Sequence, residues 1–237
     1  MDVERHDYDV VVIGAGGAGL RAAIEAHALG AKTAIVCKSL LGKAHTVMAE
    51  GGIAAALGNV WPEDNWKVHF RDTMRGGKLL NNWRMAQLHA QEAPDRVLEL
   101  EEWGALFDRT NDGLILQRDF GGHRYARLAH VGDRTGLEMI RTLQDHGVHR
   151  GIDVHMECTV LRLLLDDGRV VGAFGYDRER GRDAALGHDR VCLPQKRLAD
   201  EGSAHAHRAR LDRRTQSRAA RADDHDVVLV TSEVLGH

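Results

Sequence analysis

The sequence predicts an α/β fold with a parallel sheet, and three observations predict it. Val10, Val11, Val12 and Ile13 form a short apolar run with a β-branched bias, the composition of a strand buried on both faces. Gly14-Ala15-Gly16-Gly17-Ala18-Gly19 follows at once and fits G-x-G-x-x-G, with a helical pattern from Leu20 to Leu29. Lys32 to Cys37 (KTAIVC) then reads as a second strand and completes a β-α-β unit. Each glycine has a job. Gly14 permits the tight turn, Gly16 lets the backbone approach a pyrophosphate, and Gly19 lets helix and strand pack closely. The new helix offers its N–H groups and positive dipole end to the phosphates. A glycine-rich connection with no ligand is the alternative. The strand–turn–helix context favours a dinucleotide and hence a Rossmann-like FAD/NAD(P)-binding domain, present here in part.

Totals narrow the class. The chain has 237 residues, 43% of them hydrophobic, enough for one large domain or two small ones. A net charge of −3 carries no basic excess, so nucleic acid is not expected as a partner. Cys37, Cys158 and Cys192 are widely spaced and lack a C-x-x-C pair, which argues against a disulfide framework or a zinc site and fits a reducing compartment. Charged residues from Asp2 to Asp7 read against a signal peptide. No stretch approaches the roughly 20 apolar residues of a membrane span. A soluble or at most peripheral protein is the expectation.

Taken in order, the rest of the chain reads as follows. A simple NAD site would place an acidic residue where Cys37, Lys38 and Ser39 stand, so a flavin dinucleotide is the better candidate. Lys38 to Asn59 is too rich in glycine and alanine for an ordinary loop, and Gly51-Gly52 permits a second close backbone approach to a flat ligand. His45 and Thr46 stand a few residues earlier; on spacing alone, a lone loop histidine reads as solvated. Trp61 to Gly76 is expected as a helix with Pro62 in its first turn. Asn82 to Gln91 and Pro94 to Trp103 read as two helical pieces broken at Pro94, with Val97, Leu98, Leu100 and Trp103 facing the core. Leu106 to Arg118 reads as a hairpin turning at Asn111-Asp112-Gly113. Thr135 reads as the N-cap of a helix from Gly136 to His146. Val154 to Leu165 and Arg169 to Tyr176 read as strands joined at Asp166-Asp167-Gly168.

Beyond Arg182 the composition changes. Residues 183–226 are dominated by Ala, Arg, Asp and His, without an aromatic residue or an amphipathic period, so disorder is expected there. The segment also reads like an out-of-frame translation of a GC-rich gene. One apolar run, Asp226 to Thr231, is expected at a sheet edge. The division expected is 1–182, the N-terminal part of the dinucleotide-binding domain, and 183–237, a tail.

Two motifs carry a resemblance. Gly14–Gly19, followed by Ala44-His45-Thr46-Val47-Met48-Ala49-Glu50-Gly51-Gly52-Ile53, resembles the flavoprotein subunit of succinate dehydrogenase and fumarate reductase, in wording closest to the actinobacterial branch. The resemblance implies FAD attached covalently through the histidine of H-T-x-x-A-[QE]-G-G, whose match is His45. Gly14, Ala15, Gly16, Gly17, Ala18, Gly19, Lys38, Ser39, Thr46, Ala49, Glu50, Gly51 and Gly52 match the other cofactor-binding positions. It also implies that Arg118-Asp119-Phe120-Gly121-Gly122 passes near the flavin ring, with Phe120 lining the dicarboxylate site. Arg127 and Asp133-Arg134-Thr135-Gly136 are further matching landmarks. The implied activity interconverts succinate and fumarate and passes electrons to an iron–sulfur subunit. A membrane anchor subunit would hold the complex on the inner, cytoplasmic face of the cell membrane.

The resemblance covers about three quarters of this chain and about a third of the family's length. The family's dicarboxylate-binding arginines and proton-moving groups lie in the remainder, so the chain as given reads alternatively as a catalytically inactive FAD-binding fragment. No metal site is expected. A further alternative, an L-aspartate oxidase-like soluble flavoenzyme, is disfavoured by His45.

Overall fold

A computed structural model describes residues 3–187 and 228–231, which fall into two compact units. The first unit holds residues 3–44, 147–187 and 228–231; the second holds His45–His146.

In the first unit, β2 (Val10–Ile13) leads through α1 (Gly17–Ala28) to β3 (Thr33–Val36). The two strands pair in parallel from Val10 opposite Thr33 to Ile13 opposite Val36, the expected β-α-β unit. Val11, Val12, Ala34 and Val36 are wholly buried, which is why the strands read as continuous apolar runs. β7 (Asp153–His155) adds in parallel beyond β3, and β11 (Val228–Thr231) closes the other edge antiparallel to β2. The apolar run expected at a sheet edge is that edge strand. A second sheet runs in the order β1 (Val3–Asp7), β10 (Arg182–Gly187), β9 (Arg169–Asp177), β8 (Cys158–Asp166). Tyr8 and, from the first sheet, Val11, Ala34 and Val36 pack against Cys158, Ala184 and Leu186 of the second. β8 and β9 turn at Asp167 (φ 45°) and Gly168 (φ 78°), the doubly left-handed turn that a two-residue hairpin favours.

Three expectations for this unit need correction. The strand expected from Val154 to Leu165 is two strands, because β7 pairs with β3 while β8 pairs with β9 in the other sheet. The chain changes sheets at Met156-Glu157, where Glu157 takes φ 52°. The second correction is β1, whose residues VERHD read as a charged terminus; it pairs in parallel with β10 from Val3 opposite Asp183 to Asp7 opposite Gly187. Third, regular structure continues past Arg182. Ala184, Ala185 and Leu186 are buried between β1 and β9, so five residues expected in the tail belong to the folded unit. The disorder expected for residues 188–226 lies outside the described residues.

The second unit holds α2 (Trp66–Gly76), α3 (Trp83–Glu102), most of α4 (Thr135–His149) and a small sheet ordered β4 (Ile53–Ala54), β6 (Leu128–Ala129), β5 (Gln117–Arg118). α2 starts five residues later than expected. Asn65 caps it, its Oδ1 accepting from the N–H groups of Lys67 (3.0 Å) and Val68 (3.3 Å). Trp61–Asp64 instead makes a turn, the Asp64 N–H donating to Trp61 O at 2.9 Å. α3 runs unbroken through Pro94. Ala86, Ala90, Ala93, Val97 and Leu100 form a single buried stripe at helical spacing, and that burial outweighs the hydrogen bond proline removes. Leu98 is off the stripe and 48% exposed, contrary to its expected core position. The hairpin at residues 106–118 forms its tip, with Arg109 bridged to Ile115 and Gly113 at φ 82°.

Candidate functional site

The first turn takes its shape locally. Gly14 sits at φ 111°, and its N–H donates to Val36 O at 2.8 Å, tying the end of β2 to the end of β3. A Cβ on Gly19 would lie 2.0 Å from Gly14 O, so the strand end and the first helical turn pack backbone to backbone. Gly16 is the N-cap, in extended backbone; no side chain caps α1, and no acidic residue occupies its first turn. The backbone N–H groups and positive dipole end of a helix start suit a phosphate. Lys38, exposed, and Ser39, half-buried, follow the C-terminal end of β3. Ser39 O accepts from the Cys37 thiol at 3.0 Å and from the Glu157 N–H at 3.3 Å. Burial pushes the Cys37 thiol up and the Cys158 thiol to about 11, so both are poor nucleophiles.

The second turn is built from parts distant in sequence. His45–Met48 is a single 3₁₀ turn, with the Ala49 N–H returning to Thr46 O at 3.1 Å; His45 is exposed and Thr46 half-buried. The N-terminus of α4 packs directly on it. The Gly136 N–H donates to Ala49 O at 2.8 Å, and a Cβ on Gly136 would stand 1.9 Å from Thr46 O. That contact accounts for the glycine in Asp133-Arg134-Thr135-Gly136. Arg118 reaches the next two residues, Nη2 donating to Glu50 O at 2.6 Å and Nε to Gly51 O at 2.8 Å. Gly52 holds φ 121°, where a Cβ would meet Ala129 O at 2.8 Å, so β6 is as close as a backbone can come. Phe120 is 57% exposed, its ring edge 3.6 Å from where a Gly51 Cβ would lie.

Thr135 is not a cap. It is the first residue of α4, 2% exposed, and its hydroxyl accepts the Val131 N–H at 3.2 Å, fastening the preceding loop.

Sequence reasoning missed two clusters. In the second unit Arg127 is wholly buried, with Nε and Nη2 on the two oxygens of Asp64 (3.1 and 2.9 Å) and Nη2 also on Asp72 (2.9 Å). Asp72 also accepts the Arg124 N–H at 2.9 Å. His69 lies beside this network, 1% exposed, and burial reinforced by the Arg127 charge lowers it to about 4. Asp64 and Asp72 lie 63 and 55 residues from Arg127 in sequence, and only the fold brings them to one guanidinium. In the first unit the Tyr8 hydroxyl donates to Asp153 at 3.0 Å and meets His155 Nε2 at 2.9 Å, a juxtaposition created by the unanticipated split at β7. An open groove over α2 and α3, lined by Trp66, Phe70, Met74 and Arg75 among others, includes none of the candidate residues. Among the described residues no His, Cys, Asp and Glu cluster could hold a metal, and no helix is long and apolar enough to cross a membrane.

A family model described as FAD binding domain matches residues 9–230. A fumarate reductase (CoM/CoB) component from Methanothermobacter marburgensis is 49% identical over 176 residues, 74% of this chain and 32% of that protein. The mitochondrial succinate dehydrogenase [ubiquinone] flavoprotein subunit of Oryza sativa subsp. japonica is 42% identical over 185 residues, 74% of this chain and 29% of its own. The solved structure of Mycobacterium smegmatis Sdh1 in complex with UQ1 superposes with a TM-score of 0.77 at 63% identity, covering 78% of this chain and 33% of that one. The chain thus spans about a third of the length of the relatives it matches. It belongs to the FAD binding domain family, and its relatives include a fumarate reductase subunit and succinate dehydrogenase flavoprotein subunits.

Proposed function

We propose that this chain is the flavin-carrying part of a succinate dehydrogenase or fumarate reductase flavoprotein subunit, with FAD joined covalently to His45. The observation that carries the reading is the H-T-V-M-A-E-G-G segment: its histidine lies in a turn where the carbonyls of Ala49, Glu50 and Gly51 are each held by a donor. Gly14–Gly19 would hold the pyrophosphate at the start of α1. Lys38 and Ser39 follow β3, where such folds bind ribose. Thr46, Ala49, Glu50, Gly51 and Gly52 would present backbone to the ring system. When bound, the flavin supplies hydride chemistry between succinate and fumarate. The same reading places an iron–sulfur subunit and a membrane anchor beside the whole protein, on the cytoplasmic face of the membrane.

This stretch supplies the cofactor site and little of the substrate shell. A dicarboxylate needs cations and an aligned proton donor. Arg127 is committed to Asp64 and Asp72, and Arg118 to two carbonyls and Asp133, while Phe120 offers only an aromatic surface. We therefore infer that turnover requires groups other than these.

Attachment is tested by acid precipitation of FAD-loaded protein. Yellow colour should stay with the pellet, and His45→Ser should release it to the supernatant while retaining bound FAD before denaturation. Colour freed from the unmutated protein would reject covalent attachment.

A further inference from the structure

The donors that hold the His45 turn are unequal. Gly136 contributes one backbone N–H to Ala49 O. Arg118 contributes the side chain that spans both following peptide units, Nη2 on Glu50 O and Nε on Gly51 O, and turns Nη1 to Asp133 Oδ1 at 3.0 Å. Three acceptors thus meet the three nitrogens of one guanidinium. A planar trans peptide sets its N–H opposite its C=O. Holding the Glu50 and Gly51 carbonyls on the guanidinium therefore turns the amide hydrogens of Gly51 and Gly52 away from it. Glycine offers almost no conformational preference of its own, so without an outside constraint these two planes would rotate freely. β5 carries Arg118 and is paired through β6 to β4, which begins one residue after Gly52. The clamp and the segment it clamps are thus anchored in one small sheet.

We propose that Arg118 is a positioning residue for flavin attachment: its guanidinium fixes the Glu50–Gly51 and Gly51–Gly52 peptide planes, and through them the presentation of His45. The proposal rests on the reading of His45 as the attachment point. Arginine is required by shape as well as charge. Lysine carries one compact ammonium and cannot serve two successive carbonyls and a carboxylate in a fixed plane. Asp133, 84% exposed, holds the outer edge of the fork and is the lesser partner.

The test uses the full chain and the variants Arg118→Gln, Arg118→Lys and Asp133→Asn, with His45→Ser beside them. Amide hydrogen exchange is read on peptides covering residues 45–52 and on α3 as an internal standard, and covalent flavin is read in acid-precipitated FAD-loaded protein. Arg118→Gln should raise exchange in 45–52 about tenfold, the loss of charge-assisted bonds to two carbonyls, and leave α3 unchanged. Covalent flavin should fall severalfold while total FAD bound stays near that of the parent. Arg118→Lys should recover part of both effects, and Asp133→Asn should show the smallest change. Unaltered exchange at 45–52 in Arg118→Gln, or equal acceleration in α3, overturns the proposal. Faster exchange with undiminished covalent flavin does so as well. If the parent carries no covalent flavin, the attachment reading fails by itself, and the exchange data still decide whether Arg118 is the clamp.

Discussion

The turn at Gly14–Gly19 is shaped by its immediate neighbours: the closest approach to Gly19 is Gly14 O, and Gly16 caps the helix that follows. The turn at His45–Gly52 is shaped from far along the chain, by Arg118 at separations of 67 and 68 residues and by Gly136 and Ala129 beyond it. Both are glycine-rich, and in both a Cβ on a glycine would collide with backbone. They differ in what a mutation must do to destroy them. A local turn is vulnerable within itself and at the strand end it is tied to, Val36. A turn held by a scaffold is vulnerable wherever the scaffold is.

The sharpest way to break that contrast is Arg127→Met. It leaves Asp64 and Asp72 buried with no cation, at 1% and 8% side-chain exposure. Removing one partner of such a network costs about 3–5 kcal/mol. Urea unfolding followed by tryptophan fluorescence should show the loss. The Arg127 carbonyl accepts the Ala55 N–H, and β6 follows directly, so exchange in residues 45–52 should rise more than in 14–19. Equal changes in the two turns would erase the distinction.

Acid should weaken the second unit's frame in a predictable window. His69 titrates near 6.5 when unfolded and about 4 when folded, facing Arg127, His89, His123 and Asp72. The unfolded state therefore takes up the proton first. Stability is fully present above pH 6.5 and declines by about 3 kcal/mol as pH falls toward 4. Melting temperature measured from pH 7.5 to 4.5 should fall, and His69→Asn, though less stable throughout, should flatten the slope. An undiminished slope in the variant would assign the loss to other groups.

A smaller effect compares the turns directly. Gly19→Ala puts a Cβ 2.0 Å from Gly14 O, and Gly136→Ala puts one 1.9 Å from Thr46 O, each overpacking at about 1–3 kcal/mol. Similar losses should have different consequences. Gly19→Ala should weaken FAD binding in a fluorescence titration, whereas Gly136→Ala should chiefly lower the covalent fraction. Identical binding and attachment profiles would mean that both glycines act only on stability.

The contrast also explains what could be read in advance. The β2–α1–β3 unit was legible because strand, turn and helix are contiguous and every local preference agrees with the fold. In the His45 turn the glycine-rich composition was legible locally, whereas the role of His45 was legible only by resemblance, since a lone loop histidine reads as solvated. Elsewhere non-local burial decided. Pro94 argued for a break, yet the stripe from Ala86 to Leu100 keeps α3 whole. Asn65 was passed over as a cap because Pro62, Glu63 and Asp64 imitate a helix start, while Asp64 is committed to Arg127. β1 was hidden by its charges. An edge strand needs few apolar residues when one side remains in water.

β1 has one more implication, and it concerns time. Among the described residues its only partner strand is β10, so residues 3–7 find their neighbours in residues 183–187, almost the whole described chain later. On a ribosome adding roughly 5–20 residues each second, that gap is on the order of ten seconds or more. The β2–α1–β3 unit can close early, while β1 waits as a loose arm for β10 to emerge. Closing so long a loop is slow relative to local pairing, and this second sheet is expected to become protease-resistant later during synthesis than the β2–α1–β3 unit.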